Sequence, residues 1–373
     1  MMLSIVILTY VVLIFAFAFT PYATRKTELF GINIPSSETR NPKANKLRRN
    51  YRDIIIISGV LFLVVQIILF VLPNVAEQTQ VNVFVILLFV YMALCFFIYL
   101  LFHNKMKKLK EKLEWNKASK DTVVSNEIVV DTAPINNDVI PAKWLFLYPL
   151  IAAITILCII FVWPFIPAEI PMQIGFDGEV SRWAAKSIQT IILIISSQWL
   201  ILFIMAVVYF IMKNAKRQID VAEPEASKVQ GSRFRHILSA CMVFGGAILG
   251  AIMGLMFILM FLNASSKFIT MVPLIILVLT IVFVVVLYTR IGQGGSRLAS
   301  SKVPNNSVVN RDDDKYWKLG VFYFNKEDPA VFVEKRFGLG YTNNFARPLS
   351  WIIFLGLVAV IVVFTIVTIK LTT

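Results

Sequence analysis

Eight stretches of about twenty residues, at 1–20, 54–73, 81–102, 144–164, 188–212, 236–262, 268–289 and 350–369, contain no Asp, Glu, Lys or Arg. A helix of that length crosses the roughly 30 Å hydrocarbon layer of a bilayer, whereas a membrane strand needs only about ten alternating residues. Length therefore decides for helices where periodicity cannot. No single water-soluble core buries eight such runs. Composition agrees: 58% of the 373 residues are hydrophobic and 16% charged, against roughly 45–50% and 25% in soluble domains. The expected fold is an all-α integral membrane protein with about eight transmembrane helices. Soluble enzymes, disulfide scaffolds and disordered regulators are excluded. Cys95, Cys158 and Cys241 all fall inside apolar runs and read as buried thiols.

The formal charge of +14 acquires its meaning from where it sits. With residues 21–53, 103–143, 213–235 and 290–349 on the cytoplasmic side, 32 of the 36 Lys and Arg face inward. That is the positive-inside distribution, so nucleic acid is not needed to explain the basicity. The first run carries no positive charge before it and is followed by Arg25 and Lys26, which reads as an uncleaved anchor rather than a secretion signal. Both termini are expected outside, in a cytoplasmic membrane.

This divides the chain into a three-helix unit (1–102), a basic helix and linker (103–143), a four-helix unit (144–289) with an outer loop at 165–187, a cytoplasmic module (290–349) and a last helix (350–373). In 103–117, Met106, Leu109 and Leu113 share one helical face among lysines. Two readings stand: an amphipathic extension lying on the membrane, or a fraying helix end. Residues 118–142 read as a flexible linker.

Enzyme signatures are lacking. His103 and His236 have no Cys or carboxylate companions at ligand spacing, and no Walker loop, His-Glu-x-x-His or Gly-x-Ser-x-Gly occurs. The expectation is a non-enzymatic protein without metal or cofactor. Gly292, Gly294 and Gly295 in IGQGGS read as a flexible exit from the seventh span. Among polar groups inside the runs, Gln66, Ser196, Ser197 and Gln198 are candidates for a substrate path, although Ser and Gln also serve as interhelical hydrogen-bond partners, the preferred reading. Gly246, Gly250 and Gly254 repeat every four residues and present a flat face for helix packing.

Two segments outside the spans are patterned. In IPAEIPMQIGFDGEVSRWAAKS, Pro167, Pro171, Gly175 and Gly178 fix a bent path, while Trp163 and Trp183 suit the headgroup layer. The segment resembles the bacterial membrane family of the domain of unknown function 1648, which includes SdpI-like immunity and signalling proteins. That family runs Ile-Pro-x-His-Phe, then Gly, Asp-x-Trp and Lys. Ile170, Pro171, Gly178, Trp183 and Lys186 match; Gln173, Ile174 and Ser181 stand where His, Phe and Asp are usual. The resemblance implies an envelope protein that senses, or protects against, a membrane-active peptide, with a peptide ligand outside and a protein partner inside. A permease or lipid-handling protein is the alternative, and a membrane scaffold the third reading.

The second segment, 312–351, holds ten aromatics. Residues 321–324, a turn at 325–329 and residues 331–335 read as one β-hairpin, and the segment resembles a small module of unknown function. Trp317, Lys318, Lys335, Arg336 and Arg347 are its candidate surface.

The charge division predicts that reporters active only outside the cytoplasm score when fused at Asn74, Asp177 and Thr373 and fail at Asp121 and Asn305. A cytoplasmic C-terminus would refute this topology.

Overall fold

The computed structural model describes residues 2–71, 77–115, 138–174, 179–216, 224–262, 266–298, 314–338 and 340–372. Over its described residues each apolar run is taken up by one helix, α1 (Met2–Ala23), α2 (Pro42–Val71), α3 (Glu77–Lys112), α4 (Leu147–Val162, flanked by 3-10 turns at Ala142–Phe146 and Trp163–Phe165), α5 (Ile188–Asn214), α6 (Pro224–Phe261), α7 (Ser266–Ile291) and α8 (Pro348–Thr372). Among the described residues eight helical segments are long and apolar enough to cross a membrane, so the chain is a multi-pass membrane protein. Helices outgrow the apolar runs where caps allow. Asn41 Oδ1 accepts the Lys43 N–H at 2.9 Å and so caps α2, with Pro42 at the first helical position, where a missing N–H costs nothing.

The chain separates into two compact units that do not follow its order. Unit 1 holds Met1–Ala133, Lys216–Gly231 and Ile281–Ala346; unit 2 holds Pro134–Ala215, Ser232–Thr280 and Arg347–Thr373.

In unit 1, α1, α2 and α3 pack together, and three short hairpins assemble at their ends. Strands β1 (Glu28–Leu29) and β2 (Ile32–Asn33) form one antiparallel hairpin. Strands β5 (Trp317–Lys318) and β6 (Phe322–Tyr323) form a second, and β7 (Phe332–Glu334) and β8 (Tyr341–Asn343) a third. The single hairpin expected between 321–324 and 331–335 is thus replaced by two in tandem. Positive φ at Leu319 and Gly320 turns the chain back before β6, giving β6 a closer partner in β5. The turn at Asn325–Pro329 does form, but an isolated bridge from Tyr323 to Asn344 joins the two hairpins across it.

The face carrying Met106, Leu109 and Leu113 neither lies on lipid nor frays. Met106 is fully buried, and both leucines pack on the unit 1 core with Phe30, Tyr51 and Phe102. The protein itself covers the apolar stripe. The expected linker falls, up to residue 137, outside the described residues.

In unit 2, β3 (Glu169–Ile174) and β4 (Val180–Ala185) form an antiparallel hairpin between α4 and α5. The glycine stripe faces α4 and α5. A Cβ on Gly246 would lie 2.5 Å from the Tyr148 hydroxyl, one on Gly250 2.8 Å from Leu202 Cδ2, and one on Gly254 would overlap Thr155. Gln198 is fully buried at the same junction. Its Nε2 donates to Thr155 Oγ1 (3.0 Å) and to the Gly250 carbonyl (2.7 Å), tying α4, α5 and α6 together. At the other end of α5, the buried Arg235 donates to the carbonyls of Met212, Lys213 and Ala215, the last acceptors of that helix.

Gly250→Leu should therefore force α6 off Leu202 and destabilise the protein by about 1–3 kcal/mol. Thermal unfolding in detergent and membrane abundance measure this. A variant as heat-resistant as the parent would show that the stripe does not serve as a close contact.

Candidate functional site

The hairpin between α4 and α5 is fixed at its base and open along its side. Pro171 pairs with Trp183 but offers no N–H to the ladder, and the register slips on either side of Gln173. Ile170 is fully buried in an isoleucine cluster with Ile159, Ile166, Ile191, Ile194 and Phe261. Lys186 Nζ donates to the carbonyls of Trp163 (2.7 Å) and Ile166 (2.9 Å) and lies 5.0 Å from the centre of the Trp163 ring. An ammonium there satisfies carbonyls just past the end of α4 and opposes the negative end of the helix dipole. Ser187 then caps α5, its Oγ accepting the Thr190 N–H at 3.1 Å. Of the residues that carry the family resemblance, Ile170, Pro171 and Lys186 thus anchor the hairpin. Trp183 is 48% exposed, and Gly178 lies outside the described residues. In a two-stranded sheet, each strand also leaves one edge unpaired by any other strand among the described residues.

Unit 1 holds a second centre that the sequence reading did not find. The β1–β2 turn, Phe30-Gly31, and the β5–β6 turn, Leu319-Gly320, all have positive φ and touch through their backbones; a Cβ on Gly31 would overlap Gly320. Tyr99 Oη donates to the Leu319 carbonyl (2.9 Å) and lies 3.3 Å from that of Phe30. His103 Nδ1 is 2.8 Å from the Phe30 carbonyl. A carbonyl only accepts, so Nδ1 carries the hydrogen.

Unit 1 also holds several buried or half-buried ion pairs. Asp314 accepts from Lys110 Nζ (2.6 Å), from Arg336 and from the Asn33 N–H (3.2 Å). Burial pushes the Asp314 carboxyl up, but Arg336 and Lys110 together outweigh it and hold the group below its ordinary value. Arg336 is 2% exposed, 5.1 Å from the centre of the Trp317 ring. Arg25 pairs with the buried Glu334, and Gly294 lies against the Arg25 guanidinium. Asp328 accepts from Lys216 (2.8 Å), Tyr323 (2.7 Å) and the Ala330 N–H (3.0 Å). Burial raises it, and these partners hold it down. Asn344, fully buried, donates to the Asn325 and Ala330 carbonyls (2.9 and 3.1 Å) and accepts the Asn325 N–H (3.1 Å), which fixes the 325–330 turn.

Several sequence readings change here. Trp317 and Arg336, read as surface, are interior, because Asp314 supplies the counter-charge and the indole ring covers the guanidinium. Lys318 is exposed; Lys335 is half-buried, its ammonium pushed down by burial. Arg347 is half-buried and begins a stretch of unit 2. The IGQGGS run is a fixed turn, not a flexible exit: Gln293 Nε2 donates to the Gly340 carbonyl (3.1 Å) and its Oε1 accepts the Gly340 N–H (3.3 Å). Gln66 is fully buried in α2, and both its amide atoms lack a hydrogen-bond partner among the described residues. Neither centre joins a nucleophile to a base. Among the described residues no group of three or more His, Cys, Asp or Glu could hold a metal ion. One signal for the missed crossing was available, an apolar residue followed by Gly and a β-branched residue at 30–32 and again at 319–321.

Residues 150–196, from within α4 through the hairpin into α5, match a domain of unknown function, DUF1648. Residues 326–351, from the Asn344-held turn through β7 and β8 to the start of α8, match a family of unknown function, DUF5808. No curated protein and no solved structure matches the chain.

A carboxylate held below its ordinary value adds stability that is fully present above about pH 4, its unfolded value, and is lost as pH falls through the lower folded value. Thermal unfolding of the full-length protein should weaken on that descent. Asp314→Asn should cost about 3 kcal/mol or more, because it leaves Arg336 buried without its counter-charge, and should flatten the acid dependence. A variant with the parent's melting temperature and pH profile would contradict this assignment.

Proposed function

We propose that this chain, a multi-pass membrane protein of the DUF1648 family with a C-terminal DUF5808 module, is a non-enzymatic receptor of a bacterial cytoplasmic membrane that senses, or gives immunity to, a membrane-active peptide. One observation carries the reading: a hairpin anchored by Ile170 and Lys186 that exposes Trp183. An indole at the headgroup level offers a broad apolar face with a polar tip, and an unpaired strand edge offers backbone hydrogen bonds to an extended peptide. Both are sequence-tolerant means of gripping a peptide that reaches the bilayer. The helix-packing role of Gln198 also supports it, because that side chain is committed to Thr155 and Gly250.

A permease is the second reading. Its support is Gln66, a buried amide without a partner among the described residues, since polar groups at membrane depth commonly mark substrate paths.

A deletion strain challenged with secreted peptides and envelope antibiotics, then complemented, separates the two. Trp183→Ala should abolish protection at unchanged membrane abundance, since it removes an exposed ring and no core contact. Gln66→Leu should leave protection intact. Full protection with Trp183→Ala together with loss in Gln66→Leu, at equal protein levels, would reject the receptor in favour of transport.

A further inference from the structure

At the end of α3, unit 1 contains a cleft of about 270 Å³ lined by Ile32, His103, Lys107, Lys110, Glu111, Asp314, Lys315 and Trp317. Positions 103, 107, 110 and 111 share one helical face. That volume falls just below the roughly 300 Å³ at which pockets for drug-sized molecules begin, so it suits a small polar head. The lining charges are unevenly committed. Asp314 is satisfied by Lys110 and Arg336. Lys107 is exposed and makes no ion pair among the described residues, and Lys315 is 4.7 Å from the centre of the neighbouring Tyr316 ring. Against these two ammonium groups stands Glu111, which leaves a surplus of one positive charge. Trp317, 4% exposed, closes one wall. The cleft thus offers uncommitted cations, and what it lacks is an anion.

Depth identifies which anion. The apolar run of α3 closes at Phe102. Lys107 follows five residues later, about 7.5 Å along the helix, and the headgroup layer is roughly 5–8 Å deep on each face of the hydrocarbon. We propose that this cleft binds a phosphate group, with Lys107 and Lys315 as its charge partners. Two sources carry that chemistry at this depth, the headgroup of an anionic phospholipid and free phosphate. Lysine suits either, acting as a mobile point charge rather than a fixed fork. The inference is independent of peptide sensing, because it uses other residues in the other unit.

The test uses the full-length protein purified in detergent. Native mass spectrometry after exposure to phosphatidylglycerol or phosphatidylcholine reads lipid retention. Thermal unfolding in phosphate against chloride at equal ionic strength reads the free anion. Phosphatidylglycerol should be retained over phosphatidylcholine, about fivefold less by Lys107→Ala or Lys315→Ala and roughly 25-fold less by the double variant. Lys107→Arg and the control Lys108→Ala, whose lysine sits on the same helix outside the cleft, should behave as the parent. A phosphate-dependent rise in melting temperature that the double variant abolishes, without lipid preference, would support the site with free phosphate as its occupant. Equal loss in Lys108→Ala, or parental retention and no phosphate effect in the double variant, would overturn the proposal, the first by showing only diffuse surface charge.

Discussion

In hydrocarbon no water completes a hydrogen bond, and each unpaired peptide N–H or carbonyl there costs several kcal/mol. That constraint decides where everything else in this protein can occur. Within each uncharged run the backbone closes its bonds on itself as a helix. Each hairpin, at 28–33, 169–185, 317–323 and 332–343, falls between runs, where strand edges and turns can reach water, side chains or one another. The polar groups inside the runs follow the same logic. Gln198 spends its amide N–H groups on a hydroxyl and a carbonyl of two neighbouring helices, and Arg235, at the boundary, covers the last carbonyls of α5. Gln66 stands out because its amide finds no such outlet among the described residues.

The second organising feature of unit 1 is its buried charge. Removing a guanidinium or carboxylate from water costs several kcal/mol, and pairing offsets this only where geometry satisfies the remaining donors and acceptors. Asp314 accepts from Lys110, Arg336 and the Asn33 N–H, and the Trp317 ring lies against the Arg336 guanidinium. Such a cluster contributes little net stability over an apolar core, yet it penalises every wrong arrangement by leaving a charge unpaired. Through Arg25–Glu334, Asn33–Asp314 and Lys110–Asp314 it joins the α1–α2 connection, the end of α3 and residues 314–336. The two glycine turns permit the approach, since a Cβ on either would strike backbone or side chain of the other partner set.

The hairpin between α4 and α5 divides its labour differently. Its base is fixed by helix-end chemistry, with Lys186 on exposed carbonyls and Ser187 on the first turn of α5. Its side chains toward the core are apolar, and Trp183 is left outward. A rigid stem with an exposed aromatic is how a small surface keeps a binding group oriented at low entropic cost. The receptor reading rests on that separation of anchor from exposed ring.

The sequence was explicit about the spans because their signal is local. Twenty uncharged residues are a helix in lipid whatever their neighbours, and positive charge between them marks a side. The Gly246-Gly250-Gly254 stripe was legible for the same reason, as one helix face is written in a four-residue repeat. The crossing of Phe30-Gly31 with Leu319-Gly320 and the pairing of Arg25 with Glu334 and Lys110 with Asp314 were not, because their partners are separated by 200 residues or more. Trp317 and Arg336 looked like surface for want of a visible counter-charge. Composition and local charge pattern thus determined the membrane and the helices. Only the tertiary structure decided which charges are interior, because burial of an ion depends on the partner that folding delivers, and no local pattern encodes that partner.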